Sequence, residues 1–155
     1  MADAIFAKIP DIPGDSFVSE FEQQIEVLSY SHGVSAQVAS DVSSQNRTSA
    51  PPMQQDFTIT KYLDRASPLI NQNCCMGTVS NEVLITVGRN DAGVILPLIE
   101  YSLEEVLISS VSVGGGGGGK PVETVSLNYS RIEWVYVVGG EDEKVVAAWD
   151  LTKSS

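Results

Sequence analysis

Histidine occurs once in this chain and cysteine twice, and 9 basic residues face 20 acidic ones. Each scarcity excludes a class of function. His32 has no companions at the spacing that a zinc site or a catalytic triad requires. No metal, no cofactor and no enzymatic activity are therefore expected. Cys74 and Cys75 are neighbours, which can rarely bridge each other without strain, and no third cysteine exists. A disulfide framework is ruled out, and folding in a reducing compartment is expected. The net charge of −11 repels nucleic acid and anionic membrane surfaces. No apolar run approaches the ~18 residues of a membrane span. The opening residues, MADAIFAKIPDIPG, lack the basic and long apolar regions of a signal peptide.

What is present is mostly strand. A chain of 155 residues with 43% hydrophobic content is expected to form one domain over residues 1–155. ADAIFAKI reads as a first strand closed by the turn PDIPG. In the strand from Ile25 to Ser35, Ile25 and Val27 share one face. Leu28 and Tyr30 are expected to point inward beyond them, which places Ser29 and Ser31 on the outer wall. Residues 37–55 read as a long polar loop, and long loops in compact domains usually bind something. DFTITKYLD is a strand. Then Ser67 as N-cap, Pro68 at the first helical position and Gly77 as a left-handed stop predict one helix.

Beyond Gly77 the pattern is β again. EVLITVG and VILPLIEY flank a hairpin turn at RNDAG, and SLEEVLISSVSV continues as strand. Val125, Leu127 and Tyr129 share one face, but from Ile132 the apolar set changes parity to Ile132, Trp134, Tyr136 and Val138. That change predicts a β-bulge near Ser130 and Arg131. KVVAAWDL closes the chain, with Val145, Ala147 and Trp149 expected on one face. The fold class is mainly β: an antiparallel β-barrel of two sheets with one α-helix packed on the side.

The run Gly114, Gly115, Gly116, Gly117, Gly118 and Gly119 ends in Lys120, as phosphate-cradling loops do. However, Pro121 stands where such a loop needs Ser or Thr, and the next residues alternate like a strand rather than opening a helix. The run is expected to be a flexible connector. The acidic pairs Glu104–Glu105 and Glu141–Glu143 read as solvated charge.

Several stretches, taken in order, resemble one family. They are IFAKIPDIPGDS, IEVLSYSHGVS, FTITKYLDRASPLI, EYSLEEVLISSVSVGGGGG and ETVSLNYSRIEWVY, which together span nearly the whole chain. The family is the hemolysin-coregulated proteins (Hcp), tube subunits of the bacterial type VI secretion system. The resemblance implies a homohexameric ring and stacked rings that form a hollow tube. The tube is exported within a contractile sheath behind a spike protein and carries effector proteins in its lumen. Localisation would be the bacterial cytoplasm and then the extracellular space or a target cell, with no signal peptide, no membrane insertion and no nucleic acid partner. On this reading Ser29 and Ser31 are candidate lumen and effector contacts. Ser40, Asp41, Ser43, Ser44, Gln45, Asn46, Arg47 and Thr48 are candidates for a ring-stacking loop. That loop departs from the glycine-rich sequence frequent in the family. The competing reading is a monomeric β-barrel module for a small ligand or carbohydrate.

Overall fold

A computed structural model describes residues 3–36, 52–138 and 143–152. In chain order the elements are β1 (Asp3–Lys8), β2 (Ile25–Val27), β3 (Ser29–Ser31), β4 (Val34–Ser35), β5 (Met53–Gln54) and β6 (Phe57–Tyr62). They are followed by α1 (Ser67–Met76), β7 (Val79–Asp91), β8 (Val94–Gly114), β9 (Val122–Asn128), β10 (Arg131–Val138) and β11 (Glu143–Asp150). All pairings are antiparallel. Nine strands form one sheet along the path β2-β1-β7-β8-β9-β6-β3, with β10 and β11 branching from β8. The ends of that path, β2 and β3, are separated only by Leu28, so the sheet curls until its ends meet through the backbone and not through a ladder. Leu28 N–H donates to Thr60 O at 2.7 Å at that junction. The short β4–β5 pair forms the second sheet.

The strand β8 is 21 residues long and organises the rest. Along one edge it pairs with β7, and along the other first with β10 and then with β9. The β7–β8 hairpin turns at Ala92 and Gly93, both left-handed, as the predicted RNDAG turn requires. Asn90 Oδ1 accepts the Gly93 N–H at 3.2 Å. The register then slips between Val87 and Gly88, at the Pro97–Leu98 level of β8. A proline has no N–H for the ladder, so a bulge is where a strand tolerates it. Gly88 is needed there, because a Cβ would lie 2.5 Å from Ile95 Cγ2.

Four expectations need correction. The parity change near Ser130 is not a bulge: β9 ends at Asn128 and β10 begins at Arg131. Asn128 pairs with Leu107 and Arg131 with Glu104, so no residue is inserted. Instead β8 turns at the same level, where Glu105 is left-handed (φ 52) and the buried residues pass from Leu103 to Val106 and Ile108. Two neighbouring strands bend together at a corner of the sheet. Within the second set, Tyr136 does not follow Ile132 inward and is 47% exposed.

Leu28 is likewise exposed and not in the core, since the chain bends between β2 and β3 and parity slips by one. Tyr30, as expected, packs against the core. Finally, Ser67 is the first helical residue and not the N-cap, which is Ala66 without a side-chain bond. The Ser67 hydroxyl is engaged elsewhere. Gly77 does end the helix in the left-handed conformation (φ 66).

The main core gathers Ile25, Phe57, Ile59, Ile70, Ile85, Leu103, Leu127 and Ile132 with their neighbours. A smaller cluster of Phe6, Phe21 and Ile95 covers the opposite face of β1, with the two phenyl rings stacked at 4.5 Å. Two charged side chains lie inside. Lys61 and Glu123 face each other across the β6–β9 ladder, are fully buried and form an ion pair at 2.6 Å. Lys61 Nζ also reaches Asp64 Oδ1 at 2.9 Å and Ser67 Oγ at 3.2 Å. The Ser67 hydroxyl donates to Glu123 Oε1 at 2.6 Å, which pins the start of α1 to the sheet. Removing one partner strands the other charge without water. Lys61→Met alone is expected to cost about 3–5 kcal/mol, and Lys61→Met with Glu123→Leu much less, as read by urea unfolding.

Candidate functional site

The surface that the fold leaves unfinished is β11. All eight of its residues pair with β10, and its other edge has no ladder partner among the described residues. β8 supports β10 only as far as the Tyr136–Ile99 pair, next to the Pro97–Leu98 bulge, so the end of the β10–β11 ribbon overhangs. Val145 and Val146 project to opposite faces and are 61% and 55% exposed, so the ribbon is bare on both sides. Tyr136, opposite Val145, extends the apolar surface. Trp149 alone of the expected Val145–Ala147–Trp149 row packs against the main core. Charges stand only near the ends of β11, at Glu143, Lys144 and Asp150, and Val145 to Ala148 carry none. An uncharged, unpaired edge of this kind is a template for another strand.

A second outward surface is β3. Ser29 and Ser31 are both exposed, on the face opposite Tyr30, with exposed Leu28 beside them. The segment with Ser40, Asp41, Ser43, Ser44, Gln45, Asn46, Arg47 and Thr48 lies outside the described residues. Met53 and Gln54, expected within that loop, form β5 and pair with β4.

The glycine run joins β8 directly to β9, so no helix N-terminus follows it. Gly116, Gly117, Gly118 and Gly119 have no atom within 4 Å of a Cβ position and none adopts a positive φ. Nothing within the subunit demands glycine there, as suits a slack connector. Lys120 sits 5.5 Å over the Tyr62 ring. Glu104 is not free carboxylate: it binds Arg131 at 2.6 Å, and that hydrogen bond raises the pKa of the guanidinium. Glu141 and Asp142 lie outside the described residues. Cys74 and Cys75 are free, the first packed against the core and the second exposed. A cleft lined by Ile12, Leu69, Asn73 and Thr78 holds ≈ 190 Å³, below the ~300 Å³ at which small-molecule sites begin.

Sequence reasoning missed the free edge, because alternation says which face of a strand is apolar but not whether anything lies beside it. The available signal was the uncharged Val-Val-Ala-Ala in a final strand.

The chain matches the family described as "Type VI secretion system effector, Hcp" over residues 6–136. Protein hcp1 of Pseudomonas aeruginosa is 30% identical over 137 residues, 88% of this chain and 84% of that protein. The crystal structure of Hcp1 from Salmonella typhimurium is similar with a TM-score of 0.83 at 26% identity, covering 98% of this chain and 97% of that one. A solved type six secretion system protein shares the fold at a TM-score of 0.90 and 21% identity, over 99% of both chains. With the match running from β1 into β10 and the curled sheet common to the solved relatives, this chain belongs to the Hcp family of type VI secretion proteins.

Proposed function

We propose that the chain is the structural subunit of a type VI secretion tube. Six copies close into a ring, rings stack into a hollow tube, and effector proteins travel in its lumen when the sheath contracts behind the spike. The observation that carries this reading is the outer edge of β11, bare on both faces and without a ladder partner among the described residues. Such an edge is stabilised when a strand from another copy meets it, and a head-to-tail contact repeated with a fixed rotation closes into a ring. Copies carrying −11 repel one another, so the interface must bury enough apolar surface to overcome that field. Ser40 to Thr48 are the proposed arm between rings, and β3 is the proposed lumen wall, where the exposed Ser29 and Ser31 offer small polar contacts to varied cargo. Folding precedes export in the cytoplasm, in keeping with the two free cysteines.

Negative-stain imaging and native mass of the purified protein are expected to show six-fold rings. Solitary subunits at every concentration would exclude the tube. Val145→Lys with Val146→Lys changes exposed positions, so each is expected to shift subunit stability by no more than about 0.5 kcal/mol while abolishing rings. Rings that persist would move the contact elsewhere on the subunit. Ser31→Arg is expected to leave rings intact and reduce the effector that co-purifies, and unchanged cargo would remove β3 from the lumen wall.

A further inference from the structure

The only histidine lies inside a box of rings that the tube does not explain. His32 sits between β3 and β4. Phe57 of β6 stacks on it at 5.6 Å, and Tyr101 of β8, Tyr129 of the β9–β10 corner and Trp134 of β10 enclose it at 6.3, 5.9 and 6.2 Å. Its Nδ1 is 3.2 Å from Tyr129 Oη, which is in turn 2.8 Å from Gln55 O. A phenol has one proton, and a backbone carbonyl can only accept. Tyr129 donates to the nearer acceptor, Gln55 O, rather than to Gln54 Oε1 at 3.3 Å, and its oxygen accepts from His32 Nδ1–H. That assignment leaves Nε2 as a bare lone pair, and Nε2 is buried with no hydrogen-bond partner.

This chain of bonds is what fastens the β4–β5 ribbon. Val34 and Met53 are 53% and 63% exposed, so the ribbon has no core of its own. Gln55 N–H donates to Gly33 O at 2.9 Å, beside the imidazole. The Gln55 side chain lies over Gly33, with its Oε1 2.9 Å from where a Cβ would stand. Protonation would place a charged N–H on Nε2, where no acceptor waits. The stacked face of Phe57 favours a cation, but desolvation outweighs it and the Gln55 carbonyl, holding the imidazole below its ordinary 6.5.

Among the described residues, the titratable groups against His32 are Tyr101 and Tyr129, with Tyr30 behind Tyr101. Burial pushes the Tyr101 and Tyr129 phenols up, with help from Tyr30 for the first and from the Asp56 carboxylate for the second. Asp56 itself is held by Ser109 at 2.6 Å and Asn128 at 3.0 Å. The imidazole is thus the member of this box that changes charge in mild acid.

We propose that His32 is a pH-sensitive latch: neutral, it fastens the β4–β5 ribbon to the barrel wall, and protonated, it lets the ribbon go. The released segment takes up a proton more readily than the closed one. The latch is therefore fully closed above 6.5 and opens as pH falls from there through the lower value of the closed state. It acts within one subunit and does not rest on tube assembly.

Because the chain has one histidine, its imidazole resonances are unambiguous in NMR of the intact protein. A midpoint below 6.5 with a neutral Nδ1–H tautomer is expected. A midpoint at or above that value, or the Nε2–H tautomer, overturns the latch. Hydrogen exchange at the Gln55 amide, corrected for its intrinsic pH dependence, is expected to lose protection between about pH 7.5 and about pH 5, while β7 and β8 keep theirs. Unchanged protection, or loss across the whole barrel together, also overturns it. His32→Gln is expected to remove the pH dependence at Gln55, and pH dependence that survives counts against the proposal. Should that variant not fold, the titration and exchange of the unaltered protein still decide.

Discussion

One strand of 21 residues, paired with β7 from Val94 to Leu107 on one edge and with β10 and then β9 on the other, is the constraint from which the architecture follows. A straight strand of that length would carry its inward side chains past the end of any core a domain of this size can build. β8 avoids this by bending. The bulge at Pro97–Leu98, the left-handed Glu105 and the register shift at Ser109 each re-aim the side chains that follow. Because β9 and β10 run along the same edge, they must bend where β8 bends, and Tyr129–Ser130 is that place. Ser130 N–H donates to Glu104 O at 3.0 Å and ties the two corners together.

The corner has chemical consequences. It places Tyr129 where its hydroxyl meets His32 and Gln55, so the geometry of the sheet and the proposed latch are one feature. The opposite end of β9 is held by a different device, the buried Lys61–Glu123 pair with Ser67. A buried ion pair is seldom a large net source of stability, since desolvating both charges offsets their attraction. Its value here is positional. A helix with one apolar edge has several ways of lying on a sheet, and only one of them satisfies Lys61, Glu123 and the Ser67 hydroxyl together.

The edge of β11 shows the limit of a single subunit. Among the described residues β11 has no ladder partner on its outer edge, and its ribbon leaves valines bare on two faces. This unfinished edge is where the proposed ring contact is placed. The strong negative charge works against casual aggregation by that same edge, so contact is left to surfaces that fit.

Much of this was legible from residues alone. Periodicity of two located nearly every strand, Gly77 and the Asn-Asp-Ala-Gly turn were placed by backbone conformation, and the parity change after Tyr129 marked the place of an irregularity, though it reads as a bulge. Those features are local, because side-chain alternation and left-handed φ are properties of a few consecutive residues. Sequence could not decide whether the parity change was an inserted residue or a shared bend, where Leu28 pointed, or that Ser67 would serve Glu123 rather than its own helix. Nor could it bring His32 of the first quarter of the chain against Tyr101, Tyr129 and Trp134. These outcomes depend on which strand lies beside which. That was settled only when the long hairpin closed around the core and brought together groups roughly a hundred residues apart, such as His32 and Tyr129.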